Sequence, residues 1–336
     1  MTQNSARFSR RQFIRMTAVA GLMAATGTAL TVSGHGSAEA LRVQETQLLM
    51  GSIAHLTAIS ADPDQARAAL NAAFERMVAL ENVFSRYRPE STLSQLNRAG
   101  IVENPPVEFR QVLEKAVAYG DLTGGAFDVT VEPLLALYRA AASLGDVPAP
   151  EAVAAARELV NYRAIELADD FISLRAAGMA VTLDAIAKGY IIDAGVEVLE
   201  RFGFQDVMVE VGGDLQARGA QPWRVGIQAP DEPQQSFVQT VEVRNAGLTT
   251  SGDYVSWFTP DHRLHHILDP RTGVSPTALS SVSVLASTAC DADALSTSLM
   301  VLGLERGSAL LNELAGVQAW FVMKTGELIH QPADVL

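Results

Sequence analysis

Residues 182–219 read TLDAIAKGYIIDAGVEVLERFGFQDVMVEVGGDLQARG, and the rest of the chain is organised around them. Just upstream and into this stretch, Met179–Leu183 is apolar and β-tolerant. The period then changes. Ile186, Tyr190, Ala194, Val198 and Phe202 recur at intervals of four, with Ile191 and Leu199 widening the stripe, which predicts an amphipathic helix. Val207–Val211 follows as a short apolar run that ends at Gly212-Gly213-Asp214. The stretch is therefore expected to run strand, helix, strand, with polar groups at the joints. Lys188 falls in the first helical turn, where a cation opposes the helix dipole. Together with the free N–H groups of a helix start it points to a bound anion. A solvated lysine and an ordinary glycine turn suit the same residues, and the stretch alone leaves both open.

The chain has 336 residues, enough for one large or two medium domains. Its 48% hydrophobic and 19% charged residues mark a folded chain rather than a disordered one. The first 40 residues are expected to be a twin-arginine signal. Ser9-Arg10-Arg11-Gln12-Phe13-Ile14-Arg15 is followed by a weakly apolar segment from Met16 to Val32 and by Ala38-Glu39-Ala40 as a cleavage site. Such a leader implies periplasmic export of an already folded protein. It carries four arginines and one glutamate, so its removal takes the formal charge from −13 to −16. A chain this acidic is a poor partner for nucleic acid or an anionic membrane, and any anion it binds must be held by local groups. Beyond the leader no apolar run reaches the roughly 20 residues of a membrane span. Cys290 is the only cysteine, so an internal disulfide, a thiol redox pair and a lipid-bearing cysteine after the leader are all excluded.

Met50-Gly51-Ser52 opens a strand expected to run to Ile59. Asp62-Pro63 supplies a helix N-cap and a first-turn proline, and Leu70, Phe74, Met77, Leu80 and Phe84 give that helix its apolar face. Pro89 stops it after Ser85-Arg86-Tyr87-Arg88. A second helix is expected over residues 107–122. Gly124-Gly125-Ala126-Phe127-Asp128 then breaks the pattern, and its glycines would let backbone approach a ligand, although a turn capped by Asp128 explains it equally. Residues 152–160 read as a short helix, and 171–175 with 179–183 as a hairpin. Residues 223–228 and 237–243 read as strands around a polar loop over 229–236, and 248–254 as a hydroxyl-rich turn. Residues 281–287 form a strand leading into a helix that starts at Asp291 and is ended by Gly303; residues 305–314 form another helix and 317–323 a last strand.

Asp293 and Thr297, four apart on a helix, project from one face. A carboxylate and a hydroxyl are oxygen ligands of the kind magnesium takes, and Cys290 has no partner beside it to make a zinc site. Asp293 as a helix-start charge and Thr297 as a core hydroxyl is the plainer alternative. Of the pair His265 and His266, the latter, opening Ile267-Leu268-Asp269-Pro270-Arg271-Thr272-Gly273, is the better general-base or phosphate-contact candidate.

Eight segments in register carry a resemblance: Met50-Gly51, SRYRPES at 85–91, GAFDVTVEP at 125–133, LDAIAKGYIID at 183–193, EVGGDL at 210–215, TSGDY at 250–254, HILDPRTG at 266–273 and DADALST at 291–297. Together they resemble the ApbE family of FAD:protein FMN transferases, and the likeness spans essentially all of residues 41–336. The exported form without a lipid cysteine resembles the NosX branch, associated with nitrous oxide reductase maturation. The resemblance implies an α+β fold, two lobes with mainly antiparallel sheets flanked by helices, and FAD in the cleft between them. It implies FAD contacts at Met50, Tyr87, Ala126, Phe127, Asp128, Lys188 and Ile267, and magnesium at Asp293, Thr297 and the Ala185 carbonyl. Many members have an acidic residue three positions before that carbonyl. Here Thr182 stands there, with Asp184 two positions later, so that either Asp184 takes over the flavin contact or that contact is weaker. The implied reaction transfers FMN from FAD to a Thr or Ser hydroxyl of a separate acceptor flavoprotein, with AMP leaving and His266 as base. Acceptor sites of the family resemble Asp-x-x-Ser/Thr-Gly-Ala-Thr/Ser, and no such segment occurs in this chain. Two other readings stand beside it: an exported FAD chaperone or electron carrier, which would need the ring pocket but not the Asp293/Thr297 pair, and an FAD pyrophosphatase with water as acceptor, which the same residues would support.

Overall fold

The computed structural model describes residues 40–230 and 236–332. The expected leader, apart from Ala40, and most of the loop expected over 229–236 lie outside the described residues. The chain begins with strands β1 (Leu41–Leu49) and β2 (Ser52–Ser60), followed by helices α1 (Pro63–Phe84) and α2 (Thr92–Ala99). Then come β3 (Ile101–Glu103), α3 (Val107–Leu122), α4 (Glu132–Ser143), α5 (Pro150–Arg157), β4 (Ile165–Leu167) and β5 (Phe171–Leu174). The second half contains α6 (Ala187–Arg201), β6 (Val207–Val211), β7 (Asp214–Arg218), β8 (Trp223–Gln228), β9 (Phe237–Val243), β10 (Ala246–Gly252) and β11 (Leu279–Ala286). It closes with α7 (Ala289–Leu311), β12 (Gln318–Met323) and β13 (Leu328–Gln331).

Eight strands form one sheet in the order β1-β2-β6-β7-β10-β11-β12-β13, every neighbouring pair antiparallel. The period-two side-chain alternation of strands sorts its residues into two cores. Val207, Val209 and Val211 join Leu56, Val282 and Val284 in a core with α1, α6 and α7. Leu215, Leu248 and Trp320 instead join Ile227, Val241 and Val243 of the β8–β9 hairpin. A three-stranded sheet, β3-β5-β4, stands apart. The fold is α+β with mainly antiparallel sheets and flanking helices, as expected.

Local signals placed most of these elements. Asp62 Oδ1 accepts the N–H groups of Asp64 and Gln65, both at 3.0 Å, a cap worth about 1 kcal/mol. Leu70, Phe74, Met77, Leu80 and Phe84 of α1 are all buried, each contributing roughly 1.5–3 kcal/mol. Gly303, at φ 74° and ψ 178°, interrupts α7 where the second glycine-bounded helix was expected.

Other expectations fail. Residues 179–183 form no strand, and β5 pairs with β3 and β4 instead. Their backbone is taken elsewhere: Val181 N–H donates to Asn97 Oδ1 at 2.7 Å, its carbonyl accepts from Asn97 Nδ2 at 2.8 Å, and Thr182 N–H donates to the Val129 carbonyl. Residues 248–254 are not a turn. Up to Gly252 they belong to β10, a central strand whose hydroxyls pair sideways, Thr250 with Ser283 at 2.7 Å and Ser251 with Ser296 and Thr297 at 2.9 Å. The short helix expected over 152–160 occupies Pro150–Arg157. The helix expected from Asp291 begins at Ala289, because Thr288 is its N-cap.

Candidate active site

α6 and α7 touch backbone to backbone, since a Cβ on Gly189 would overlap the Ala289 carbonyl. At this crossing the two helices exchange carboxylates. Asp293 Oδ2, on α7, accepts the Gly189 N–H at 3.0 Å. Asp193, on α6, accepts Ala289 N–H at 2.8 Å through one oxygen and Cys290 N–H at 2.9 Å through the other. In a regular helix the Gly189 N–H would donate to the Ala185 carbonyl. α6 begins only at Ala187, however, so the Gly189 N–H is one of the helix-start donors without a partner in the helix, and the Ala185 carbonyl, which precedes the helix, accepts no hydrogen bond among the described residues. Thr297 lies one turn beyond Asp293, its hydroxyl 2.9 Å from Ser251 Oγ.

Asp293 is buried in acidic company. Burial first, then repulsion from Asp214, pushes its pKa up to about 7, against the pull of Lys188 and the Gly189 N–H. Lys188 pairs with Asp214. Burial opposes its charge, but Asp214 and Asp293 outweigh that and hold its pKa above the ordinary lysine value. Asp214 is itself only 3% exposed and accepts the Thr250 N–H at 2.9 Å. The anion expected beside Lys188 is therefore supplied by the chain, and the half-buried lysine is paired rather than free. The sequence marked Asp214 only as the residue after Gly212-Gly213 in the EVGGDL segment, with no role of its own.

The opposite side is built from the loop after β10. His265 is fully buried, with Nε2 2.9 Å from the Pro276 carbonyl and Nδ1 accepting the Ile267 N–H at 3.3 Å; burial lowers its pKa to about 4. It ties the loop together and leaves Ile267 buried. His266 differs. Its Nδ1 lies 2.9 Å from the Ser256 carbonyl, which also accepts its backbone N–H at 3.0 Å. A carbonyl can only accept, so Nδ1 carries the proton and Nε2 keeps its lone pair. Burial lowers the His266 pKa; the Ser256 hydrogen bond and Asp184 work against this, while Lys188 and Arg86 add to it. His266 and Asp293 thus both stand within electrostatic reach of Asp184 and Lys188.

Asp184 is held by Arg86 at 2.7 Å, and Arg86 also bonds the Tyr87 hydroxyl and lies 4.3 Å over its ring. Tyr87 is 76% exposed, so it does not pack at the helix end. Thr182, in the position of the family's acid, accepts the Asp184 N–H at 3.3 Å. Ala126 and Phe127 are buried, and Phe127 meets Tyr119 at 5.8 Å; the Tyr119 hydroxyl donates to Asp291 at 2.6 Å, joining this segment to the start of α7. Asp128 spends its carboxylate within the fold, Oδ1 on the Thr130 N–H and hydroxyl and Oδ2 on the Tyr162 N–H. The turn-capping alternative is the one realised for that side chain. Met50, at φ 50°, and Gly51 turn β1 into β2. The Gly212 N–H, donating to the Ile53 carbonyl at 3.1 Å, sets that turn beside the one carrying Asp214. Cavities of about 350 and 540 Å³ lie elsewhere, lined around Tyr138 and Thr272 and around Arg244 and Glu313, and neither includes His266 or Asp293.

The profile of the ApbE family matches residues 50–321. The chain belongs to the ApbE family. The FAD:protein FMN transferase of Treponema pallidum (strain Nichols) is 33% identical over 313 residues, covering 85% of this chain and 86% of that protein. That of Klebsiella pneumoniae (strain 342) is 30% identical over 292 residues, covering 83% of each. Among solved structures, the flavin transferase ApbE from Vibrio cholerae superimposes with a TM-score of 0.74 at 28% identity, covering 87% of this chain and 96% of that one. The apo flavinyl transferase ApbE of Pseudomonas stutzeri gives 0.74 at 30% identity, covering 87% and 94%. In this ApbE-family chain, then, the eight segments that carried the resemblance are drawn together from strands, turns and helix starts far apart in sequence. The partners that hold them, Arg86, Asp193, Asp214 and Ser256, are residues to which the sequence assigned no role.

Among the described residues no group of three or more His, Cys, Asp or Glu is placed to hold a metal. A cation at the helix crossing would have to combine Asp293 with carbonyl and hydroxyl oxygens. That is a hard-oxygen donor set, which fits magnesium and not zinc. Cys290 is no competitor, since burial pushes its thiol up.

Proposed function

We infer that the helix crossing and the His266 loop form the two halves of one phosphoryl-transfer site. The chain is an FAD:protein FMN transferase, with FAD as substrate and a separate flavoprotein as acceptor. The observation that carries the division of labour is the Ala185 carbonyl, left without a donor just before the helix start that the buried Asp293 grips. Asp293, Thr297 and the Ala185 carbonyl would hold magnesium, which when bound would neutralise charge on the FAD pyrophosphate. Lys188, fixed by Asp214, adds a second positive charge to this wall. His266 Nε2 takes the proton of the acceptor Thr or Ser hydroxyl. The hydroxyl oxygen bonds to the FMN phosphorus, the P–O bond to the AMP phosphate breaks, and AMP leaves. Met50, Tyr87, Ala126, Phe127, Asp184 and Ile267 line the flavin side, and Asp128 supports it by holding the loop.

The acceptor carries a segment of the Asp-x-x-Ser/Thr-Gly-Ala-Thr/Ser type. Incubation with FAD, magnesium and a domain bearing that segment should raise the acceptor's mass by one FMN, with stoichiometric AMP. AMP and free FMN with an unmodified acceptor would favour the pyrophosphatase reading, and bound but intact FAD the carrier.

The leader sequence supports periplasmic action, with export by the twin-arginine route. It also supports a NosX-like role in nitrous oxide reductase maturation, since the exported form lacks a lipid cysteine. Replacing Arg10 and Arg11 together by Lys should keep the protein in the cytoplasm, measured by fractionation. Normal periplasmic accumulation of that variant would refute the route.

A further inference from the structure

We propose that Asp193 is a positioning residue for the reaction: by gripping the first turn of α7 from α6, it sets the spacing of the metal donors. This rests on the reading of Asp293 and the Ala185 carbonyl as those donors.

The donors come from two segments, the turn leading into α6 and α7 itself. Ala185 precedes α6 by two residues, whereas Asp293 and Thr297 lie on α7. Their spacing is therefore not a property of either helix; it is set by how the two cross. Two links define that crossing. The Asp293–Gly189 bond runs from α7 to α6, and the pair of Asp193 bonds to Ala289 and Cys290 runs back from α6 to α7. Each link lies one helical turn from the other on both helices, so together they block both sliding and rotation. The absent side chain of Gly189 lets the backbones meet closely enough for both links to form.

A carboxylate suits the task. It offers an oxygen to each of two adjacent N–H groups, and its negative charge complements the positive end of the α7 dipole. If Asp193 were lost, Asp293 would supply the one remaining side-chain hydrogen bond between these helices among the described residues, and a metal drawing on Asp293 would compete with the Gly189 N–H for its oxygens. Thr288 caps the same end of α7 by accepting the Asp291 N–H at 3.0 Å, but it belongs to α7's own chain. It stabilises the helix without fixing α6 relative to α7. The pair therefore separates a positioning role from a stabilising one.

The test is Mn²⁺ binding, followed by loss of the free-ion EPR signal in the presence of FAD, beside thermal denaturation without metal. Asp193→Ala should weaken Mn²⁺ binding at least tenfold. Thr288→Ala, with a comparable loss of melting temperature, should stay within about twofold of wild type. Asp193→Asn, which keeps one acceptor oxygen, should fall between. FAD affinity without metal should be equal in all of them. A folded Asp193→Ala protein with wild-type Mn²⁺ affinity would overturn the proposal, and so would Thr288→Ala weakening the metal as much as Asp193→Ala. If Asp193→Ala does not fold, Asp193→Asn decides: a threefold or greater loss supports the role and an unchanged affinity removes it. Asp293→Ala serves as the reference. If it too binds Mn²⁺ normally, the donor assignment fails, and the positioning role falls with it.

Discussion

Asp293→Ala is expected to abolish FMN transfer while leaving the protein folded. A carboxylate in a metal site that neutralises a pyrophosphate contributes several kcal/mol to the transition state, and about 4 kcal/mol already corresponds to roughly a thousandfold in rate. The cost to the fold is smaller. The Gly189 N–H loses its acceptor, a buried unsatisfied donor worth about 1–3 kcal/mol. Repulsion between Asp293 and Asp214 is relieved at the same time, and Lys188 keeps its partner in Asp214. Had Asp293 been only a charge near the helix start, the loss would be roughly 0.3–1 kcal/mol of stability with activity intact. Single-turnover flavinylation beside thermal melting separates the cases, and near-normal turnover in a well-folded variant would sink the metal role. Asp293→Asn sharpens the comparison: it retains an acceptor for Gly189 and should melt close to wild type, yet it lacks the anionic charge and should be nearly as slow.

His266→Ala should bind FAD almost normally and transfer FMN on the order of 10²-fold or more slowly, the usual contribution of a positioned base. The pH dependence gives this prediction its sign. A base must be neutral to accept a proton, so the wild-type rate should fall as pH drops through the His266 pKa. Burial places that pKa below the ordinary histidine value of 6.5. With saturating metal to keep Asp293 ionised, the acidic limb due to His266 should accordingly lie below 6.5, and it should vanish in the alanine variant. The Ser256 carbonyl supports the role by keeping the Nδ1 proton in place and Nε2 available. FAD titration beside single-turnover kinetics across pH makes the measurement. A variant that transfers at the wild-type rate with saturating FAD would reduce His266 to a binding residue. One whose binding and rate fall together, with the acidic limb intact, would do the same.

The strongly periodic elements were legible in the sequence. The helix expected over 107–122 is found at Val107–Leu122, and the run of valines at Val207–Val211 is a strand. Where reading failed, a local pattern was true but its partner was not local. Met179, Val181 and Leu183 are indeed buried, but so is Thr182 between them, and the burial does not alternate as in a strand. The backbone between them bonds to the side chain of Asn97 and to Val129 rather than to a neighbouring strand. Thr249, Thr250 and Ser251 look like a turn because exposed hydroxyls favour turns. Inside a sheet those hydroxyls are satisfied by Ser283, Ser296 and Thr297, which no nearby residue foretells. α2 and α4, and the strands β3, β4, β7 and β13, gave no signal distinct enough to be anticipated.

By itself the sequence determined which chemistry the chain can hold: oxygen donors without a zinc set, one cysteine, a histidine ahead of a Pro-Arg-Thr-Gly turn, and the ordered segments of the ApbE family. Only the tertiary structure decided how those groups are employed. It gave Lys188 to Asp214, gave the helix-start N–H of Gly189 to Asp293, closed Asp128 on its own loop, and separated a structural His265 from a His266 with one nitrogen left open. The reason is physical. Residue type sets which donors and acceptors exist, but a buried polar group must find a partner wherever the fold brings one. In this chain those partners lie mostly on other elements, many residues away.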